Sequence, residues 1–146
     1  MKRLPALLFI TALATGASAP LSADEWRVPA EASATANPIP STPEALGNGS
    51  AIYHQSCAIC HGADGNGDGQ GAAFLSPKPA SFADPAFAKQ ADGATFWRIT
   101  TGRNAMPAFK ASLTDIQRWQ LIGFLRTFSL DAVTKRAAQK QGSAAR

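Results

Sequence analysis

The sequence contains few residues that bind metals or carry redox chemistry. Its 146 residues include two cysteines, two histidines and two methionines. A structural zinc site needs four ligands, and the chain has no second cysteine pair to complete one. The formal net charge is +4, and it falls to 12 − 10 = +2 without Lys2 and Arg3. Such a small charge gives no reason to expect a nucleic-acid partner.

Long apolar runs are also missing. The longest such stretch, Leu4 to Ala14, follows two basic residues and is shorter than the roughly 20 residues that span a bilayer. Small residues that suit signal cleavage precede positions 20 and 24. We therefore predict a signal peptide over residues 1–23, cleaved after Ala19 or Ala23, and a periplasmic protein. The alternative is an uncleaved membrane anchor.

Composition divides the rest of the chain into three parts. Residues 24–42 are rich in Ala, Ser, Thr and Pro, which predicts a flexible leader. Residues 131–146 predict a polar, solvated C-terminal tail. The folded domain is expected over residues 43–130. It shows no strand pattern, so the predicted fold is all-α, and its small core would gain from a large apolar cofactor.

Three helices are predicted in this domain. The first leads into the cysteines, with Thr42 as its cap and Pro43 at its first position; Asn48 is a rival cap. The second runs from Gly93 to Thr101, with Asp92 as its cap and Gly102 ending it in a left-handed conformation.

The third helix carries the strongest pattern. Thr114 and Gln117 form a capping box. Its polar face is expected to hold Arg118, Gln120 and Arg126. Apolar residues at helical spacing define the buried face: Ile116, Trp119, Leu121, Ile122, Phe124, Leu125 and Phe128.

The segment Cys57-Ala58-Ile59-Cys60-His61 is the attachment signature for c-type haem. Two intervening residues space the thiols for two vinyl groups, and the adjacent histidine becomes the proximal iron ligand. A plain disulfide would leave His61 without a role. A thioredoxin-like pair would need an α/β fold, which the sequence does not show.

Met106 is the only methionine that remains once residues 1–23 are removed. It lies in a loop before Pro107, which disfavours helix at the preceding residue. We expect Met106 to be the second axial ligand; the alternative is a methionine that fills a gap in the core. His54 is expected to be a surface residue.

The loop Asp64-Gly65-Asn66-Gly67-Asp68-Gly69 matches the first half of a calcium-binding EF-hand loop. Its twelfth position is Leu75, where calcium requires a bidentate glutamate. A glycine-rich loop that turns tightly around the haem edge is the better interpretation.

Together these motifs resemble class I c-type cytochromes, especially the small bacterial mono-haem forms, over about residues 44–130. The similar segments also include Gly49-x-x-Ile52-Tyr53, Leu75-x-Pro77-Lys78-Pro79, Ile99-x-x-Gly102 and Met106-Pro107-x-Phe109.

The resemblance implies a small cytochrome c fold, with three or more helices around one covalent haem c. It also implies that the first and last helices cross at Gly49, with Tyr53 and Phe124 nearby. A backbone carbonyl of the Pro77–Pro79 loop would accept the Nδ1–H of His61. Trp97, Arg98 and Arg103 are candidate partners of the haem propionates.

The predicted function is one-electron transfer rather than enzyme catalysis. Cys57 and Cys60 would hold the haem, with His61 and Met106 on its iron. The partners would be redox proteins, an unidentified donor and acceptor, with the chain acting as a soluble carrier or as an electron-transfer subunit. Membrane contact would come only through a partner complex or the uncleaved anchor. The alternative is a ligand-binding haem protein, a gas sensor or peroxidase-like, in which Met106 is labile.

Overall fold

The computed structural model describes residues 26–144, so the predicted signal peptide lies outside the described residues. Within that range the regular structure is helical and contains no strand, which confirms the all-α prediction. The helices are α1 (Ala30–Ser33), α2 (Pro43–Ser56), α3 (Ala58–His61), α4 (Pro85–Ala88), α5 (Asp92–Thr101) and α6 (Asp115–Ala144), with a 3-10 helix at Gln70–Phe74 between α3 and α4. None of these described helices has both the length and the apolar content to cross a bilayer.

The centre of the fold is the crossing of α2 and α6. A Cβ atom at Gly49 would lie 2.8 Å from the carbonyl carbon of Gln120 and 2.9 Å from the Cβ of Phe124, so only glycine permits this approach. Tyr53, one turn farther along α2, is fully buried, and its ring centroid lies 5.5 Å from that of Phe124. The crossing implied by the resemblance is confirmed.

The predicted starts of the first and last helices are confirmed. The Thr42 hydroxyl accepts a hydrogen bond from the Ala45 amide at 3.2 Å, and Pro43 occupies the first helical position. At the start of α6, the Thr114 amide donates to Oε1 of Gln117 at 2.8 Å, and the Gln117 amide donates to the Thr114 hydroxyl at 3.3 Å.

The predicted cap of the second helix is wrong. Ala91 is the capping residue and Asp92 is the first residue of α5. The Asp92 carboxylate instead accepts a hydrogen bond from Nε of Arg126 at 2.8 Å. The ion pair with α6 replaces the local cap, because an extended Arg126 side chain reaches the start of α5.

The expected polar face of α6 is also partly wrong. Arg118 is only 3% exposed, and it donates hydrogen bonds to Thr100 and Asp115. Arg126 donates to the carbonyl oxygen of Phe87 at 2.8 Å. Conversely, Ile116, assigned to the buried face, is 58% exposed. Helix α5 packs beside α6 and converts part of its predicted solvent face into an interhelical contact.

The segment predicted to be a flexible leader is packed against the folded domain. From α1 onward it packs against α5, and the side-chain amide of Asn37 donates to the carbonyl oxygen of Trp119 at 3.0 Å. At the other end, α6 continues through the predicted tail as far as Ala144. Good helix formers dominate residues 131–141, and no proline interrupts them.

Candidate haem site

Cys57 lies at the junction of α2 and α3, and Cys60 and His61 lie within the single turn of α3. The Cys57 amide donates to the carbonyl oxygen of Tyr53 at 2.8 Å, and the His61 amide donates to that of Cys57 at 2.9 Å. Neither cysteine forms a disulfide, and both are half-buried. Burial, with a smaller contribution from Cys60, raises the pKa of Cys57 to about 11, so this thiol is neutral near pH 7.

His61 is held by a segment that lies far from it in the chain. Its Nδ1 atom lies 3.0 Å from the carbonyl oxygen of Ala80, and its ring stacks on Phe82 with centroids 4.6 Å apart. Burial lowers the pKa of His61, and the hydrogen bond to Ala80 partly opposes this effect. The implied carbonyl is therefore present, but it belongs to Ala80, directly after Pro79, and not to a residue of Pro77-Lys78-Pro79.

The glycine-rich loop closes around the histidine turn. The Gly67 amide donates to the carbonyl oxygen of His61 at 2.8 Å, and the Gly69 amide donates to that of Cys60 at 3.1 Å. Gly65 and Gly67 have φ values of 71° and 77°, which L side chains rarely adopt. The Phe82 amide donates to the carbonyl oxygen of Gly65 at 2.7 Å, so the loop also positions the ring that stacks on His61.

Met106 lies on a tight loop that leaves the C-terminal end of α5. Gly102 ends the helix with a φ of 61°. Arg103 and Met106 then exchange two backbone hydrogen bonds of 2.9 Å each, and the Phe109 amide donates to the carbonyl oxygen of Ile99 at 3.0 Å. These bonds return the loop to α5, so Met106 has a defined place.

One cavity of about 360 Å³ brings these separate segments together. Cys57, Cys60, His61 and Met106 all line it, although His61 and Met106 are 45 positions apart in the chain. Most of the other lining residues are apolar or small. Lys78 and Arg103 contribute the positive charges of the lining. Two thiols, an imidazole and a thioether around an apolar cavity fit a covalently attached haem.

Other candidates fall outside this cavity. His54 is exposed, as predicted. The described residues contain no cluster of three or more His, Cys, Asp or Glu side chains that could hold a metal ion. Of the three candidate propionate partners, Arg103 lines the cavity, whereas Trp97 and Arg98 do not.

Sequence reasoning missed two contributors to this site. Trp26 lines the cavity although it was assigned to the leader. Phe82 stacks on His61 although it lies in a region without a helical pattern. Both are large aromatic residues in segments otherwise rich in small and polar residues. That contrast was the sequence signal that could have identified them as contributors to the site.

Comparisons with known proteins agree with this geometry. The family described as cytochrome c oxidase, cbb3-type, subunit III matches residues 44–125. A solved chain titled as the Kuenenia stuttgartiensis reducing HAO-like protein complex is similar at 30% sequence identity with a TM-score of 0.55. That alignment covers 62% of this chain and 46% of the other, so this chain spans less than half of its relative's length. A search of curated proteins finds no significant match.

The family match covers more than half of the 146 residues, and the Cys57 and Cys60 thiols lie on a cavity suited to haem c. The prediction of covalently bound haem c is thereby confirmed, and with it a role in haem-mediated electron transfer. The chain belongs to the family of c-type cytochrome domains described as cytochrome c oxidase, cbb3-type, subunit III.

Proposed function

We propose that this protein transfers single electrons through one haem c, with His61 and Met106 as the two axial ligands of its iron. The observation that supports this proposal is the shared cavity, which His61 and Met106 line together with both attachment cysteines. Met106 provides the only thioether in residues 2–146, so no other methionine competes for that role.

The surrounding residues prepare these two ligands. The Ala80 carbonyl accepts the Nδ1–H of His61, which leaves the other ring nitrogen with a free lone pair and makes the imidazole more basic. Stacking on Phe82 restricts rotation of the same ring. The paired hydrogen bonds between Arg103 and Met106 limit the movement of the thioether loop.

When bound, the haem supplies Fe(III)/Fe(II) cycling. His61 and Met106 would both ligate its iron and leave no position for a substrate, so the protein would act as an electron carrier and not as the catalyst of a substrate reaction. Thioether ligation and burial both favour the ferrous state and raise the reduction potential.

We further propose that the protein is exported to the periplasm and receives and donates electrons through protein partners. Residues 2–14, with two lysine or arginine residues before an apolar run, support export. The similar chain from Kuenenia stuttgartiensis is part of a protein complex, which supports an electron-transfer subunit beside the alternative of a soluble carrier. Docking would be weak and brief, as is usual for small redox interfaces.

An optical redox titration of the holo-protein, with and without carbon monoxide, tests the axial ligands. We expect a positive midpoint potential, a ferric sulfur-to-iron charge-transfer band, and a ferrous spectrum that carbon monoxide does not change. Met106→Ala should open the iron to carbon monoxide, whereas Met106→His should exclude it and lower the potential. A wild-type ferrous spectrum that shifts with carbon monoxide would reject Met106 as a firm ligand and favour a ligand-binding haem protein.

A further inference from the structure

The N-terminal segment 26–39, here called the strap, contributes one side chain to the haem cavity. Trp26 lines the cavity together with the attachment cysteines and Met106. The family match begins only at residue 44, so the strap lies outside the part of the chain that defines the family. We propose that Trp26 shields the haem from water and thereby raises its reduction potential.

Trp26 makes two contacts with α5, one with an aromatic ring and one with a guanidinium group. Its ring meets that of Trp97 edge to face, with centroids 6.4 Å apart. The guanidinium carbon of Arg98 lies 5.9 Å from the Trp26 ring centroid, within the range of a cation–π interaction. Trp97 and Arg98 do not line the cavity themselves, and both contact Trp26, which does.

The rest of the strap is anchored at several points on the domain. Gly93 at the start of α5 lets it approach closely: a Cβ there would lie 2.6 Å from the carbonyl oxygen of Thr35 and would also meet that of Ala32. Farther along, the Asn37 side chain donates to the carbonyl oxygen of Trp119 on α6 at 3.0 Å, and Ile39 packs against the core. A segment fixed in this way can hold Trp26 in one place.

The physical consequence concerns the charge of the iron. Oxidation adds one positive charge, and water at the cavity mouth stabilises that charge more than an indole ring does. Covering the cavity therefore favours the ferrous form, and opening it favours the ferric form. This inference requires bound haem c but does not depend on which side chain is the second axial ligand.

The test compares full-length holo-proteins carrying Trp26→Ala, Trp26→Leu and Trp26→Phe with the wild type in equilibrium redox titrations. We expect Trp26→Ala to shift the ferrous-to-ferric ratio at a given potential at least threefold toward ferric. The ferrous-to-ferric ratio of Trp26→Leu should lie between those of Trp26→Ala and the wild type. The ratio of Trp26→Phe should stay within twofold of the wild-type ratio. Phe74→Ala is the control, because Phe74 is 90% exposed and absent from the cavity lining.

The sulfur-to-iron charge-transfer band is recorded on the same samples. A shift in Trp26→Ala with the wild-type band retained supports the proposal. An unchanged potential in Trp26→Ala overturns it, whatever happens to the free energy of unfolding. Loss of the band in Trp26→Ala also overturns it, since Trp26 would then act by holding Met106. If the wild type itself lacks the band, the axial ligation by Met106 fails, and the potential series still decides the role of Trp26.

Discussion

The Nδ1 atom of His61 lies 3.0 Å from the carbonyl oxygen of Ala80, although the two residues are 19 positions apart in the chain. Two residues beyond Ala80, Phe82 stacks on the same imidazole ring, and its amide is tied to the glycine-rich loop. One loop therefore sets both the hydrogen bond and the plane of the proposed proximal ligand. This arrangement agrees with the general role of outer partners in orienting metal ligands.

Replacing Phe82 should weaken both the core and the support of His61. Phe82 is 8% exposed and also contacts Tyr53 and Phe87. We expect Phe82→Ala to lower the free energy of unfolding by about 3–5 kcal/mol, as for other buried phenylalanines, measured by urea unfolding of the holo-protein. The matched control is Phe74→Ala, at a side chain that is 90% exposed, with an expected change of about 0.5 kcal/mol or less. Equal losses of unfolding free energy in Phe82→Ala and Phe74→Ala would contradict the buried position of Phe82.

Two glycines of α2 should respond to alanine in opposite directions. At Gly49 the new methyl group would collide with the backbone of α6 at Gln120, and we expect a loss of about 1–3 kcal/mol from overpacking. At Gly47 the new Cβ would meet no atom of the described residues within 4 Å beyond its chain neighbours and its own helix backbone, so Gly47→Ala should stabilise the helix by about 0.5–1 kcal/mol. Thermal unfolding of both variants measures the difference. A Gly49→Ala protein as stable as Gly47→Ala would rule out the close crossing.

Arg118 joins the two ends of the Met106 loop. Its guanidinium lies 4.7 Å from the Phe96 ring centroid and donates hydrogen bonds to Thr100 on α5 and Asp115 on α6. We expect Arg118→Ala to cost about 1–3 kcal/mol through the lost hydrogen bonds and ring contact. The charge-transfer band should then disappear at a lower urea concentration than in the wild type.

Arg118→Lys keeps the positive charge without the planar fork and should give an intermediate result. Arg27→Ala is the control, because Arg27 is exposed. If the charge-transfer band disappears at the same urea concentration in Arg118→Ala and Arg27→Ala, Arg118 does not stabilise the Met106 loop.

Tyr53 should couple stability to alkaline pH. Burial is the main cause that raises the pKa of Tyr53 well above its ordinary value, with smaller effects from the carboxylates of Asp68 and Asp64. The folded state therefore keeps this proton when the unfolded chain, with a tyrosine pKa of about 10, has lost it. The associated stability is complete below about pH 10 and declines as the pH rises toward the folded-state pKa.

Tyr53 is the only tyrosine, so ultraviolet difference spectra report tyrosinate formation at this residue. We expect tyrosinate to appear above pH 10 only as the protein unfolds. Tyr53→Phe should remove this pH dependence and cost about 1 kcal/mol near pH 7, because the hydroxyl donates to the Gly62 carbonyl at 2.5 Å. A tyrosinate signal near pH 10 in the folded protein would contradict the burial of this side chain.

Features that depend on neighbouring residues could be predicted from the sequence. The capping box of Thr114 and Gln117, the cap at Thr42 and the turn at Gly102 are set by local hydrogen bonds and backbone conformation. The haem attachment at Cys57 and Cys60 is equally local, because two residues between the thiols already match the cofactor.

By itself, therefore, the sequence determined the all-α class, the helix boundaries near these signals and the covalent haem. Only the tertiary structure decided that Ala80 supplies the carbonyl for His61, that Arg118 is buried and that Trp26 lines the cavity. Each of these contacts joins segments far apart in the chain. The long side chains of arginine and tryptophan are stable at a surface or in an interior, and the packing of α5, α6 and the strap selects between the two.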